Sequence, residues 1–355
     1  MKFLNVHMLQ VLPYANVNRD DVGATKTVHY GGVERTRISS QALKRAARVR
    51  FETQAAADRT VRSRYTASQV AAVARQLLQQ AGEELTDEID DRIAAAAQTE
   101  IAKLVSRDGA AGSTLVWLAE REVHAAGEKI AAQLTGGDAP PFVSSSTSSL
   151  TIAGFGRMFA QAPKVQCEAA VQVAHAFTTH PAAAELDHFA AVDDLRSSFD
   201  DDAGAGHLGV NAAASGSFYR YLNVDRDQLA ANWDDLDDTQ AADRLRQWYA
   251  ALLLSLPSGR ASSSAAHTLP ALVLLEQSSQ PLSYAPAFET PVRADGSLAL
   301  ASAQALYDYI ARAHRMAANL FGPAQSATTL PGFDQDAATF DQLLDHCVDW
   351  ALEAA

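Results

Sequence analysis

The stretch Arg35-Thr36-Arg37-Ile38-Ser39-Ser40-Gln41-Ala42-Leu43-Lys44-Arg45-Ala46-Ala47-Arg48 holds two means of binding a polyanion. Ser39 or Ser40 is placed to cap a helix, and a helix N-terminus offers unpaired N–H groups and partial positive charge to a phosphate. The two hydroxyls add donors, and Lys44, Arg45 and Arg48 follow one turn later, spaced to meet further phosphates of a strand. Composition alone leaves two readings, a phosphate-binding helix or a capped surface helix with a basic outer face. The stretch contains no acid, whereas ordinary surface helices mix signs at i±4, and this weighs toward the first.

Other chemistry is excluded by spacing. Gly-x-x-x-x-Gly-Lys-Ser/Thr, His-Glu-x-x-His and Gly-x-Ser-x-Gly are absent, and Gly154-Phe155-Gly156 does not continue into a dinucleotide-binding fingerprint. The ten histidines are scattered, with His175 and His180 the nearest pair that could share an environment, and a structural role on strands is expected for them. The acid clusters Asp193-Asp194, Asp200-Asp201-Asp202 and Asp234–Asp238 lack calcium-loop spacing and read as solvated surface. Cys167 and Cys347 match neither a zinc site nor a disulfide framework. No catalytic residue, metal or cofactor is expected.

Charge isolates the same stretch. The 355 residues sum to −13, a poor overall balance for a nucleic-acid binder. From Asn18 to Arg50, however, eight basic residues face three acids, a local charge of +5 that leaves −18 on the remainder. Residues 181–243 hold fourteen acids against Arg196, Arg220 and Arg226. No apolar run approaches the ~18 residues of a bilayer helix, and the N-terminus lacks a signal-peptide core, so a cytoplasmic chain with no membrane contact is expected.

The elements that position these residues follow from periodicity. Leu4, Val6 and Met8 alternate with Asn5, His7 and Leu9 as a half-buried strand; a polar loop from Pro13 to Arg37 follows, broken by Gly23 and Gly31-Gly32. A helix to about Phe51 should bury Leu43, Ala47 and Phe51 and expose its basic side. Residues 67–136 read as mostly helical, with Ile89, Ile93, Ala97, Ile101 and Leu104 as one stripe and a short strand near Thr114–Leu118. Residues 136–164 read as an extended loop. Strands are expected at Val171–Phe177, with Val171, Val173, His175 and Phe177 on one face, at Gly216–Val224 and at Ala271–Glu276. Between the first two lies a long acidic excursion, 181–215. Helices at Thr239–Leu254, Ala301–Leu320 and Asp336–Glu353 complete an α+β fold with an antiparallel sheet.

A resemblance rests on these residues. Asn18-Arg19-Asp20-Asp21, Gly31-Gly32 and Arg37-Ile38-Ser39-Ser40-Gln41-x-Leu43-Lys44-Arg45-Ala46 resemble the opening of the CasC family, the repeated backbone subunit of the type I-E CRISPR complex Cascade. Gly156-Arg157-Met158, Ala174-His175-Ala176-Phe177-Thr178-Thr179-His180, Ala191-Val192-Asp193-Asp194-Leu195, His207-Leu208-Gly209 and Ser215-Gly216-Ser217-Phe218-Tyr219-Arg220-Tyr221 continue it in order. The similarity covers most of residues 1–225 and weakens beyond.

The resemblance implies an RRM-like (ferredoxin-like) sheet as palm, a helical insertion as fingers and a protruding thumb. The corresponding parts are 1–66 for the first palm strand and basic helix, 67–136 for the fingers, 137–180 for a palm loop and strand, 181–215 for the thumb, and 216–355 for palm strands and terminal helices. It implies a non-catalytic, hexameric backbone on the crRNA guide, which pairs with target DNA. Its partners would be other copies of the chain, the large, small, tail-end and crRNA-processing Cascade subunits and, transiently, the helicase–nuclease. Guide phosphates would meet Arg19, Lys26, Arg37, Ser39, Ser40, Gln41, Lys44, Arg45 and Arg48. Arg157 would hold a phosphate and Met158 a base, unless Met158 belongs to the core. His207 and Leu208 would lie on the thumb and displace a base, unless they merely close a loop. The fingers hold few basic residues from Leu118 to Thr135, only Arg121 and Lys129, and the thumb is more acidic than this role needs. The enzymatic alternative is an RNA-guided ribonuclease of the type III kind using Asp20 or Asp21.

Overall fold

Strand β1 (Phe3–Ala15) buries nearly every side chain from Leu4 to Leu12, polar ones included. The half-buried strand expected from its alternation is therefore covered on both faces. Its polar residues are tolerated because each finds a partner far along the chain. Asn5 Nδ2 donates to Ser278 Oγ at 2.6 Å, His7 Nδ1 meets the Tyr219 hydroxyl at 2.8 Å, and Gln10 Nε2 donates to Thr268 Oγ1 at 2.8 Å. The computed structural model describes residues 1–105, 114–182, 184–191 and 207–353.

In chain order follow β2 (Thr27–Tyr30), β3 (Val33–Ile38), α1 (Ser40–Gln54), β4 (Thr60–Ser63), α2 (Thr66–Gln80), α3 (Asp87–Val105), β5 (Val116–Ala119), α4 (Glu120–Leu134) and α5 (Leu150–Phe155). Then come β6 (Val171–Val173), β7 (Ala176–Thr178), β8 (Glu185–Ala191), β9 (His207–Asp225), α6 (Arg226–Asn232), α7 (Ala241–Leu254) and α8 (Ala261–Ser264). The chain ends with β10 (Pro270–Ser278), α9 (Leu298–Met316), β11 (Phe321–Thr328) and α10 (Phe340–Leu352). These elements form an α+β fold and divide into two units. Residues 1–47, 173–223 and 252–343 make the first, and 48–172, 224–251 and 344–355 the second.

The first unit is built on a sheet in the order β11-β10-β1-β9-β7-β3-β2, with β8 also pairing β9. β10 lies antiparallel between β1 and β11, and all nine of its residues are buried, as its apolar run predicts. The polar loop expected over 13–37 is instead partly a hairpin. β2 and β3 pair from Thr27↔Thr36 to Tyr30↔Val33, and Gly31 and Gly32 turn between them at φ +61° and +76°. Two successive positive φ angles suit a tight hairpin turn and select glycine. β11 was hidden because its Gly322 and Pro323 disguise a strand, which an edge position tolerates. The strand expected over 171–177 is broken into β6 and β7, and His175 is exposed at the break. The 181–215 excursion is, where described, the antiparallel ribbon β8–β9, running from Glu185↔Ala213 to Ala191↔His207. The stretch 192–206, with Asp193-Asp194 and Asp200-Asp201-Asp202, lies outside the described residues.

In the second unit α2, α3 and α4 enclose a core of Val70, Ala74, Ile93, Ala97, Ile101 and Ile130. Gly127 lets α4 approach α2, since a Cβ there would lie 2.5 Å from Val73 Cγ1. β4 and β5 form a separate two-stranded sheet. The expected loop over 136–164 contains the buried helix α5, whose N-terminal residue Leu150 donates its N–H to Asp58 Oδ1 at 2.8 Å. Asp58 also receives a two-pronged contact from Arg244, both distances 2.8 Å, within the same unit.

Candidate nucleic-acid interface

The loop after β1 is folded by its own side chains. Asp20 Oδ1 accepts the N–H groups of Val22 at 3.0 Å and Ala24 at 2.8 Å, and Arg19 bridges Thr25. Asn18 Oδ1 accepts the Ser39 N–H at 2.8 Å, so the loop is fastened to the start of α1. The Arg37 N–H donates to the Lys26 carbonyl at 2.8 Å, and its Nε donates to the Thr27 carbonyl at 3.0 Å. Arg19, Lys26, Arg37 and the first turn of α1 are thereby brought together in the first unit. Arg19 is exposed, while Lys26 and Arg37 are half-buried.

Helix α1 begins where its sequence predicts, but the N–H groups of Ser39, Ser40 and Ala42 are already taken by Asn18, His175 and Ser39 Oγ and are not open to a phosphate. Ser39 Oγ accepts the Ala42 N–H at 3.3 Å in N-cap fashion. The Ser40 N–H, however, donates to His175 Nδ1 at 3.0 Å. This requires the ring proton on Nε2, so His175 presents a donor beside the basic cluster. Partial burial, followed by the charges of Arg37 and Lys26, lowers its pKa. Sequence reasoning gave His175 a place on a strand face and missed this role, because no sequence signal announced the break between β6 and β7 at which it sits.

Along α1, Gln41 and Arg45 are exposed and Lys44 is half-buried. Burial lowers the Lys44 pKa, and its stem lines a shallow hollow with Met8, Leu43, Ala47 and Leu222. Arg48 differs from the expectation of a phosphate-facing cation. It lies 3.9 Å from Glu52, one turn on, and contacts Thr60 Oγ1 at 3.4 Å. Its i+4 acid lay just beyond the basic stretch and balances it.

Two further arginines serve the fold. Arg35 is fully buried and donates to the carbonyls of Tyr30, Thr178 and Phe288. Arg157, expected to hold a phosphate, is 4% exposed; it pairs with Glu122 at 2.5 Å and lies 4.8 Å from the Phe159 ring centre. A buried guanidinium with a carboxylate partner is not available to a phosphate, and that assignment is corrected. Met158 is 79% exposed, which removes the core reading and leaves an apolar side chain in solvent. His207 and Leu208 occupy the start of β9, opposite Ala191 and Ala190; they are strand residues and not a loop closure. Their side chains lie outside what is described.

The profile of the CT1975-like protein family matches residues 4–346, nearly the whole chain. The chain belongs to the CT1975-like family. Two solved chains share the fold of this family member at full length. One comes from a structure described as a CRISPR RNA-guided surveillance complex, pre-nicking, with 30% identity, a TM-score of 0.79, and coverage of 98% of this chain and 100% of that one. The second comes from a CRISPR RNA-guided surveillance complex, with 28% identity, a TM-score of 0.73, and coverage of 98% and 99%. No curated protein sequence matches. Family and structural likeness together bear out the CasC resemblance carried by the sequence motifs.

Proposed function

We propose that this chain is a non-catalytic, crRNA-binding backbone subunit of a type I-E Cascade complex, repeated along the guide and presenting it to target DNA. Its full-length similarity to subunits of RNA-guided surveillance complexes supports the coarser part, a CRISPR surveillance-complex subunit. One observation supports the finer part: Arg19, Lys26 and Arg37 gather around the capped start of α1, with Arg45 exposed in the next turn, on an otherwise acidic chain. Single-stranded nucleic acid is held by positive charge that tracks its backbone. Met158 supplies an exposed apolar contact for a base. The ribbon β8–β9 is proposed as the thumb, with His207 and Leu208 near its described end. Copies of the chain, the other Cascade subunits and a cytoplasmic setting follow from the same reading.

Asp20, one of the two residues of the ribonuclease alternative, uses Oδ1 to fold its own loop. Purification of the chain with its complex partners, followed by a denaturing gel, tests the proposal. A discrete guide-length RNA is expected. Purified complex free of RNA, or periodic Mg²⁺-dependent cleavage of matched target RNA that Asp20→Ala or Asp21→Ala abolishes, would contradict it.

A further inference from the structure

The small sheet β4–β5 of the second unit has one face with no role in the reading above. Its register pairs Thr60↔Ala119, Val61↔Leu118, Arg62↔Trp117 and Ser63↔Val116. Val116 and Leu118 point into the helical core, so Thr60, Arg62 and Trp117 occupy the opposite face by the alternation of a strand. There the Trp117 indole N–H donates to Thr60 Oγ1 at 2.8 Å. The Arg62 guanidinium lies 5.8 Å from the centre of the Trp117 ring, and that of Arg48 lies 5.9 Å away. Both distances are within cation–π range, which holds a cation over a ring without neutralising it. Arg48 is balanced by Glu52, whereas Arg62 is exposed and forms no ion pair among the described residues. Arg59 and Arg64, on either side in the same short segment, are exposed and equally without ion pairs among the described residues.

We infer that β4 and its two ends form a second RNA-binding surface, in which Arg62 on the outer face and Arg59 and Arg64 at either end of the strand contact successive phosphates and Trp117 is the residue that positions Arg62. Three uncompensated guanidiniums within six residues complement a polyanion, and an arginine braced on an aromatic ring is pre-organised for a phosphate. The ligand is single-stranded RNA, because the inference rests on the proposed function, which makes RNA the resident nucleic acid. Unlike the basic cluster at α1, this surface lies wholly in the second unit.

The test uses the full chain and two probes, an unstructured uridine oligonucleotide and a thymidine oligonucleotide of equal length, titrated across a salt series. Each phosphate contact to a single strand contributes a slope of about −0.7 in log affinity against log salt. Arg59→Ala/Arg62→Ala/Arg64→Ala should therefore flatten the RNA slope by roughly 2 with an unchanged melting curve. Trp117→Leu should weaken RNA binding less than the triple variant does, and Arg62→Lys should retain most of the slope. Should the triple variant unfold, Arg64→Glu alone, at an exposed position, must still weaken binding. Wild-type binding to RNA with a slope that the triple variant or Arg64→Glu leaves unchanged overturns this surface while the proposed function stands. A wild-type chain that binds no RNA overturns both, and a surface whose loss affects only the DNA probe overturns the assignment to RNA.

Discussion

Arg157 and Met158 are adjacent and have opposite environments. Arg157 is buried against Glu122 and Phe159, so Arg157→Ala leaves a carboxylate stranded in the second unit, a loss of about 3–5 kcal/mol for such pairs. Its melting temperature should fall sharply, with any effect on RNA secondary to unfolding. Met158→Ala removes an exposed side chain, so melting should be unchanged while RNA affinity drops. Paired melting and binding curves for the two variants separate the roles. Histidine adds a pH dependence. Complete burial lowers His7 to about 3, while His175 and His180 are lowered chiefly by burial as well. In the unfolded chain these rings titrate near 6.5, so at lower pH the unfolded state binds more protons and stability falls as the solution is acidified. For His7 the loss sets in as the pH falls through about 6.5 and continues toward its folded value. Thermal unfolding from pH 7 to pH 5 should show this decline, and His7→Asn should flatten it.

The hairpin β2–β3 shows how one residue can decide an element. A Cβ on Gly31 would lie 1.7 Å from the Glu289 carbonyl oxygen, whereas Gly32 faces open space. Both have positive φ, so Gly32→Ala should cost about 1–2 kcal/mol for the left-handed backbone alone. Gly31→Ala adds the clash and should lower the melting temperature considerably more. Equal melting temperatures for the two variants would refute this. The same hairpin marks what periodicity could not reveal. Helix α1, the helices α2 to α4 and strand β10 were legible because their apolar spacing agrees with burial on one face or throughout. β2 and β3 together span barely ten residues and carry mixed charge, so no alternation announced them. The two-sided burial of β1 was hidden because Asn5, His7 and Gln10 find hydrogen-bond partners more than two hundred residues away. At the candidate site, the grouping of Arg19, Arg37 and Arg45 was legible from charge. The burial of Arg35 and Arg157 and the neutralisation of Arg48 were not, because residue type cannot tell a guanidinium that caps carbonyls or meets a carboxylate from one that faces solvent.

Across the whole molecule, an acidic chain carries its unbalanced positive charge in few places. A net charge of −13 disfavours a polyanion on balance, so a strand is best held where cations outnumber acids locally. The cluster around the start of α1 is proposed to be such a place. The most direct test is the salt dependence of single-stranded RNA binding by the wild type and by Arg19→Ala/Arg37→Ala/Arg45→Ala, with melting curves recorded alongside. At about −0.7 per phosphate, loss of three contacts should flatten the slope by roughly 2, and similarly for unrelated RNA sequences. A folded triple variant whose salt slope equals that of the wild type would contradict the account, since these arginines would then face solvent or protein and not the guide.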